Sequence, residues 1–334
     1  MRVIVDAFGG DNAPLEIIKG AALAVKEYGH TVILVGREEE IRRVSAENGL
    51  SLEGMEIVDA RDVISMEEEP KSILKEHKNC SMAVGLRRLA EGEGDAFVSA
   101  GSTGALIMGG TFFVKRIRGV SRAALAAIAP TDKGPFMLID SGANVECRPD
   151  MLLQFAHMGS LYMTAVMNQG RPATVGLLNV GTEDHKGGEL QHEAFALLKE
   201  SGLHFVGNVE ARDVPLGVVD VLVADGFSGN VRLKTMEGTA DMLMLNLKRV
   251  FFSSLKTKLG ALLVKGGIGK LKEKVSTASY GGAPLLGLTK PVIKTHGNAK
   301  AEAVKHAIRV AAQFAGEGVI EKITAAVKKD ETKA

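Results

Sequence analysis

Short apolar runs alternate with stretches of helical periodicity along most of the chain. Val3–Val5, Thr31–Val35, Met55–Val58, Ala96–Ser99, Phe136–Asp140, Thr174–Asn179, Phe205–Asn208 and Val219–Ala224 read as strands. Several are nearly continuous in apolar residues, as strands covered on both faces are. Between them, Leu15–Tyr28, Glu38–Asn48, Ser81–Glu91, Pro149–Met167 and Glu189–Ser201 carry helical spacing. Strand–helix alternation predicts an α/β fold, a three-layer αβα sandwich around a mostly parallel sheet. No internal repeat or low-complexity linker interrupts the pattern, so one α/β domain is expected over 1–330. The charged end, Lys328–Ala334, is expected to fray, with 331–334 as a tail outside the domain.

One segment departs from the alternation. Residues 241–275 predict a long protruding helix, with Leu243, Leu247, Val250, Phe251, Leu255, Leu259, Leu262 and Leu263 at i, i+4, i+7, i+8 spacing. From Lys248 to Lys274 eight Lys or Arg face one acid, Glu273. The stretch reads either as a helix packed on the domain or on a second subunit with a solvated basic face, or as a surface that meets anionic lipid or an acidic protein. A dimer presenting its helices side by side satisfies both.

Composition narrows the function classes. Aromatic residues are 4% of 334 and tryptophan is absent, which argues against stacking platforms for single-stranded nucleic acid. A net charge of +1 makes the whole chain no general polyanion binder. Cys80 and Cys147 form no CxxC and no disulfide framework, which suits a cytosolic compartment. Neither a signal peptide nor a membrane-spanning helix is expected.

The chemistry is carried by glycine-rich loops that follow strands. Asp6-Ala-Phe-Gly9-Gly10-Asp11-Asn12-Ala-Pro14 leads into a helix whose free N–H groups suit an anion, or is a tight βα turn with no ligand. Ser99-Ala-Gly101-Ser102-Thr103-Gly104-Ala105 offers two hydroxyls to phosphate, or a hydroxyl cap to a helix. Asp140-Ser-Gly142-Ala-Asn144-Val-Glu146-Cys147 is the third loop. In the fourth, Asn179 to Gly188, Lys186 stands in a glycine-flanked turn as a compact charge for phosphate, or as a solvated surface lysine. In the fifth, Asp225-Gly226-Phe-Ser228-Gly229-Asn230, the asparagine donates to an oxyanion or caps the helix. Ligands in such sheets sit beyond the carboxyl ends of the strands. All five loops are therefore expected on one edge, around one crevice shaped for a phosphate-sized anion.

Other chemistries are less well equipped. Neither GxxxxGK[ST] nor GxGxxG occurs, which weighs against nucleotides. The histidines show no HExxH pattern; His296 precedes a helix and is a candidate crevice residue. Asp6, Asp140 and Asp225 follow strands and either bind metal or accept loop N–H groups, the second being preferred. No GxSxG elbow is present and neither cysteine has an adjacent histidine, so a covalent acyl-enzyme lacks its usual parts.

The motifs DAFGGD, SAGSTGA, DSGANVE, LNVGTEDHKG, FVGNVE, VADGFSGNVRLKTMEG, YGGAPLLG and THGNAK run in order from Asp6 to Lys300. Together they resemble the bacterial phosphate acyltransferase family of phospholipid synthesis, PlsX. The first motif more often has Met where this chain has Phe8, and the second more often has Asn where it has Ser102. The resemblance implies transfer of a long-chain acyl group from acyl-acyl-carrier-protein to inorganic phosphate, giving acyl phosphate. It implies a fold related to isopropylmalate dehydrogenase and phosphate acetyltransferase, a homodimer, and peripheral contact with the inner face of the membrane. It implies no organic cofactor, and a downstream acylglycerol-phosphate pathway acyltransferase is a further candidate partner. The family's lysine in NVGTExxKG falls on Lys186 and its asparagine in DGFxGN on Asn230.

The expected mechanism is direct attack. Phosphate would be held by Asp6, Gly9, Gly10, Asp11, Ser102, Thr103, Gly104 and their loop N–H groups, with Lys186. Asn230 and Asn144 would stabilise the tetrahedral oxyanion, and His296 is a candidate proton donor. Lys248, Arg249, Lys256 and Lys258 would steer the acidic carrier protein. The alternatives are a dehydrogenase on the related fold, a short-chain coenzyme A:phosphate acyltransferase, and a non-catalytic membrane or carrier adaptor.

Overall fold

The computed structural model describes residues 1–168, 170–275 and 280–331. The first half contains β1 (Arg2–Asp6), α1 (Leu15–Tyr28), β2 (Thr31–Gly36), α2 (Glu38–Glu47), β3 (Met55–Asp59), α3 (Ser81–Ala90), β4 (Ala96–Ser99) and α4 (Thr103–Gly109). Then come β5 (Ala124–Thr131), β6 (Gly134–Ile139), α5 (Pro149–Tyr162), β7 (Thr174–Asn179), α6 (Glu189–Glu200), β8 (His204–Glu210) and β9 (Val221–Val223). The chain closes with α7 (Gly226–Phe251), α8 (Leu255–Val275), β10 (Ala283–Leu286), β11 (Val292–Lys294), α9 (Ala301–Gly316) and α10 (Val319–Glu331). Glu331 thus ends a helix, and the rest of the expected tail, 332–334, lies outside the described residues.

The eleven strands form one sheet in the order β3-β2-β1-β4-β11-β10-β5-β6-β9-β7-β8. Alternate side chains of one strand enter cores on opposite faces, which is why the apolar runs are nearly continuous. Val3 and Val5 pack with Ile17, Ile18 and Ile308 of α1 and α9, whereas Ile4 packs with Leu86 and Leu89 of α3. In the other half, Met137 and Ile139 meet α5, while Phe136 and Leu138 meet Leu233 and Met236 of α7. The result is the expected three-layer sandwich.

The sheet reverses direction in its middle, which corrects the expectation of a single ligand edge. Strands β3, β2, β1, β4 and β11 run parallel to one another. The pairs β11–β10, β10–β5 and β5–β6 are antiparallel. Beyond them β6, β9, β7 and β8 are again mutually parallel. Three reversals leave this second group opposed to the first. The loops after β1 and β4 therefore sit on one edge, and those after β6, β7 and β9 on the other. The periodicity reading missed β5, β10 and β11, the strands around the reversal. Strand β5 is half alanine, and β10 and β11 are four and three residues long.

The predicted long helix is two helices broken at 252–254. Ser254 and Thr257 cap the second one reciprocally: Thr257 N–H donates to Ser254 Oγ at 3.2 Å and Ser254 N–H to Thr257 Oγ1 at 3.0 Å. Among the described residues, no helix is long and apolar enough to cross a membrane.

Candidate active site

Helix α7 joins the two opposed edges. Its first turn is fixed at the lower edge, where Asp225 Oδ1 accepts the Ser228 N–H at 2.8 Å and Asn144 O accepts the Gly226 N–H at 2.7 Å. Glycine is required at the contact: a Cβ on Gly229 would lie 1.9 Å from Asp140 O. From there α7 runs across the sheet face. Asn230, Leu233, Lys234 and Glu237 fall at i, i+3, i+4 and i+7 and so share one face. That face lines a cleft of about 760 Å³, within the range of small-ligand sites. At the far end Glu237 Oε1 lies 3.9 Å from His296 Nε2, so the helix spans from the β9 turn to the loop after β11.

The opposite wall is the segment Lys294 to Ala299, with Thr103 beside it. The floor is apolar, from Leu125, Ala127 and Ile128 of β5 and Ala283 of β10. One cleft thus combines polar walls with an apolar base.

Lys294 is the least expected member of this wall. It ends β11 and is 8% exposed. Its Nζ donates to Ala100 O at 3.2 Å and to the carbonyl of Thr295. Burial lowers its pKa to about 8, opposed by the charges of Asp11 and Asp6. The sequence reading stopped one residue short of it, at the THGNAK motif. The available signal was a lysine closing a short apolar strand immediately before a glycine-containing loop.

The aspartates after the strands hold loops together. Asp6 is buried; its Oδ1 accepts Ser81 Oγ–H at 2.6 Å and its Oδ2 accepts Ser99 Oγ–H at 2.7 Å. Burial raises its pKa against those hydrogen bonds. Gly9 and Gly10 are packed closely into the same assembly. A Cβ on Gly9 would meet Gly101 N at 2.7 Å, and one on Gly10, at φ +95°, would meet Gly297 O at 2.7 Å. Asp11 N–H donates to Gly297 O at 2.8 Å. The first loop therefore braces the 295–298 wall from behind.

Ser102 caps α4, accepting the Ala105 N–H at 3.4 Å, and Gly104 makes room for Pro70. Of the second loop, Thr103 lines the cleft. Asp140 accepts N–H groups from Leu125, Gly142, Ala143 and Asn144, and burial raises its pKa. The side-chain amide of Asn144 is engaged by Ala123 O at 2.8 Å and Asp140 Oδ2 at 2.9 Å, so it points into the loop.

Asn230 and His296 meet in the cleft lining; Lys186 does not. Its loop follows β7, three strands beyond β5 in the sheet. The stem of Lys186 folds over Gly181, and its carbonyl accepts Asn179 Nδ2–H at 2.9 Å. It stands on the edge where α7 begins. Lys248, Arg249, Lys256 and Lys258 are all exposed, around the break between α7 and α8. Next to them Leu255 and Leu263 are 85% and 82% exposed. The thiols of Cys80 and Cys147 are both pushed up to about 11 by burial, so neither is a thiolate at neutral pH.

A family model described as "Fatty acid synthesis protein" matches residues 1–322. A phosphate acyltransferase of Brevibacillus brevis is 47% identical over 332 residues, covering 99% of this chain and 98% of that protein. A phosphate acyltransferase of Caldanaerobacter subterraneus subsp. tengcongensis is 44% identical over 324 residues, covering 97% and 96%. Among solved structures, a phosphotransacetylase from Streptococcus pyogenes superposes with a TM-score of 0.64 at 16% identity, covering 94% of each chain. That last likeness concerns the fold.

Proposed function

The chain belongs to the phosphate acyltransferase family of fatty acid and phospholipid synthesis, and from that premise we propose that it moves a long-chain acyl group from acyl-acyl-carrier-protein to inorganic phosphate. The observation that carries this reading is the cleft itself. An apolar floor suits an acyl chain, and the walls bring a buried ammonium and the side-chain amide of Asn230 to the same space.

A phosphate oxygen attacks the thioester carbonyl carbon, forming the new C–O bond and a tetrahedral oxyanion. Asn230 donates to that oxyanion from the second turn of α7. Collapse breaks the C–S bond, and the proton given up by hydrogen phosphate goes to the departing thiolate. The products are acyl phosphate and the carrier thiol. His296 stands at the cleft wall as a proton relay. Lys186 acts from the edge where α7 begins, as a charge that draws the anionic reactants in. Holding both reactants in one cleft supplies the rest through proximity.

The tips of α7 and α8 serve association. Large apolar side chains as open as Leu255 and Leu263 mark contact surfaces, and here they adjoin four exposed basic residues. In this reading they meet the acidic carrier, a second subunit and the anionic inner face of the membrane, placing the protein in the cytoplasm with peripheral attachment. Neither a metal nor an organic cofactor enters the reaction.

The test is release of free carrier thiol from palmitoyl-acyl-carrier-protein, with and without phosphate, in wild type and Lys186→Ala. Phosphate-dependent release that the folded variant loses supports the reaction and the residue. Release that ignores phosphate in folded wild type removes the acyltransferase reading.

A further inference from the structure

The cleft contains one buried cation whose local partners are incomplete. An ammonium has three N–H donors. Lys294 gives two of them to the carbonyls of Ala100 and Thr295, and among the described residues it forms no ion pair with a carboxylate. Its side chain is nonetheless more than nine-tenths buried and lines the cleft. A buried charge is costly unless paired. Nothing in the packing of β11 calls for a charge: the two preceding residues, Val292 and Ile293, are fully buried and apolar. The lysine is held at the end of its strand, with one N–H left for a ligand.

The surroundings indicate an anion. Asp6 and Asp11 support the charge of Lys294 from β1 and its loop, and Lys234 opposes it from α7. Glu237 is tied to Lys234 at 2.8 Å. His296, Lys300 and Glu302 line the same cleft from the loop and helix after β11. Asp6 is itself held by Ser81 and Ser99, and it acts on the amine through its charge.

We propose that Lys294 seats the phosphate nucleophile, its third N–H donating to a phosphate oxygen beside Thr103. This rests on the acyl-transfer reading above and names the residue that binds the second substrate. The amine fixes the anion at the wall while Asn230 serves the oxyanion from α7, so the two polar groups divide the reaction between them. Burial makes the charge effective, because little water competes for it. Burial also makes it conditional. A lysine whose folded pKa has fallen to about 8 is charged below that value and neutral above it. Bound phosphate favours the ammonium and moves the transition upward. Phosphate affinity therefore weakens as pH rises past 8, where phosphate is already mainly the dianion.

The experiment measures the Michaelis constants for phosphate and for palmitoyl-acyl-carrier-protein from pH 6.5 to 9.5, in wild type, Lys294→Met and Lys294→Arg. Loss of one charge-assisted hydrogen bond raises the phosphate constant by roughly tenfold to a hundredfold. The acyl-donor constant stays within about twofold, which a merely structural role does not predict. Lys294→Arg keeps its charge throughout and flattens the alkaline rise. Should the variants fail to fold, wild type decides by competitive acetylation with acetic anhydride at pH 8. Inorganic phosphate should then protect Lys294, read by peptide mass spectrometry. Labelling unchanged at saturating phosphate, or an unaltered phosphate constant in folded Lys294→Met, overturns the proposal. Wild type without phosphate-dependent thiol release sinks the acyl-transfer reading instead, and phosphate protection still reports on Lys294 separately.

Discussion

Asn144 binds Asp140 twice, through its backbone N–H at 2.6 Å and its side-chain amide at 2.9 Å, both to the same carboxylate oxygen. The remaining amide hydrogen goes to Ala123 O. This arrangement closes the loop after β6 against the start of β5. It gives Asn144 a structural task where the sequence suggested an oxyanion donor. Asn144→Ala should therefore lower stability by about 1–3 kcal/mol while turnover per folded molecule is retained. Urea unfolding beside an activity assay normalised to folded protein separates the two. A large fall in turnover with unchanged stability would return Asn144 to the chemistry.

Asn230 should behave in the opposite way. Its side chain rests against Gly142 and faces the cleft. Asn230→Ala is expected to reduce kcat by about 10²–10³, the usual loss of one oxyanion donor, with an unchanged melting curve. Its placement depends on Gly229. Gly229→Ala forces a Cβ into Asp140 O and should cost stability at the upper end of the about 1–3 kcal/mol typical of overpacking. Gly238→Ala, farther along α7 where a Cβ meets nothing within 4 Å, should instead gain about 0.8–1 kcal/mol. Equal effects at the two glycines would show that the α7 start is less constrained than the geometry requires.

The thiols should be dispensable. With both pushed up to about 11, neither Cys80 nor Cys147 supplies a thiolate near pH 7. Cys147→Ala is expected to keep full phosphate-dependent turnover, and intact-mass spectrometry during turnover should find no acyl adduct on the protein. An adduct on Cys147 would replace direct attack with a two-step mechanism.

Arg171 and Asp220 join the chain before β7 to the chain before β9, with guanidinium contacts of 2.7 and 3.2 Å. Burial alone would raise the Asp220 pKa, but Arg171 and Thr174 outweigh it and hold the carboxyl below its usual range. The unfolded chain then takes up its proton first as pH falls. The pair's stabilisation is complete above the ordinary aspartate pKa and disappears as pH drops through the lower folded value. Arg171→Ala should lower stability at pH 7, by no more than about 1 kcal/mol because the guanidinium is largely exposed. The difference from wild type should shrink as pH falls below the ordinary aspartate range. A gap independent of pH would mean the arginine acts through packing alone.

Local pattern was sufficient for the flanking layers. Helix Leu15–Tyr28 and strand Thr174–Asn179 are found with the predicted limits, because a 3.6-residue or two-residue period records which side of an element is covered. Motif order likewise identified the family and placed Asn230 and His296 among the candidates, since those residues sit in dense runs of glycine and polar residues. The break at 252–254 was less visible: an apolar repeat continues across it, and the Ser254–Thr257 bonding shows where the second helix begins.

What the chain spells out residue by residue is therefore the αβα layering, the glycine turns and the family. What only the tertiary structure decided is which loops meet. Three short or alanine-rich strands reverse the sheet, and strand direction leaves no mark in hydrophobic period. That reversal separates Lys186 from the Lys294 wall and leaves α7 to bridge the two edges. It also converts Asp6, Gly9 and Asn144 from presumed ligand contacts into supports, because whether a polar group faces solvent or a neighbouring loop is fixed by packing between segments distant in sequence. Lys294 became visible for the same reason: burial without a carboxylate partner is a property of the folded surroundings, and the residue's name alone does not carry it.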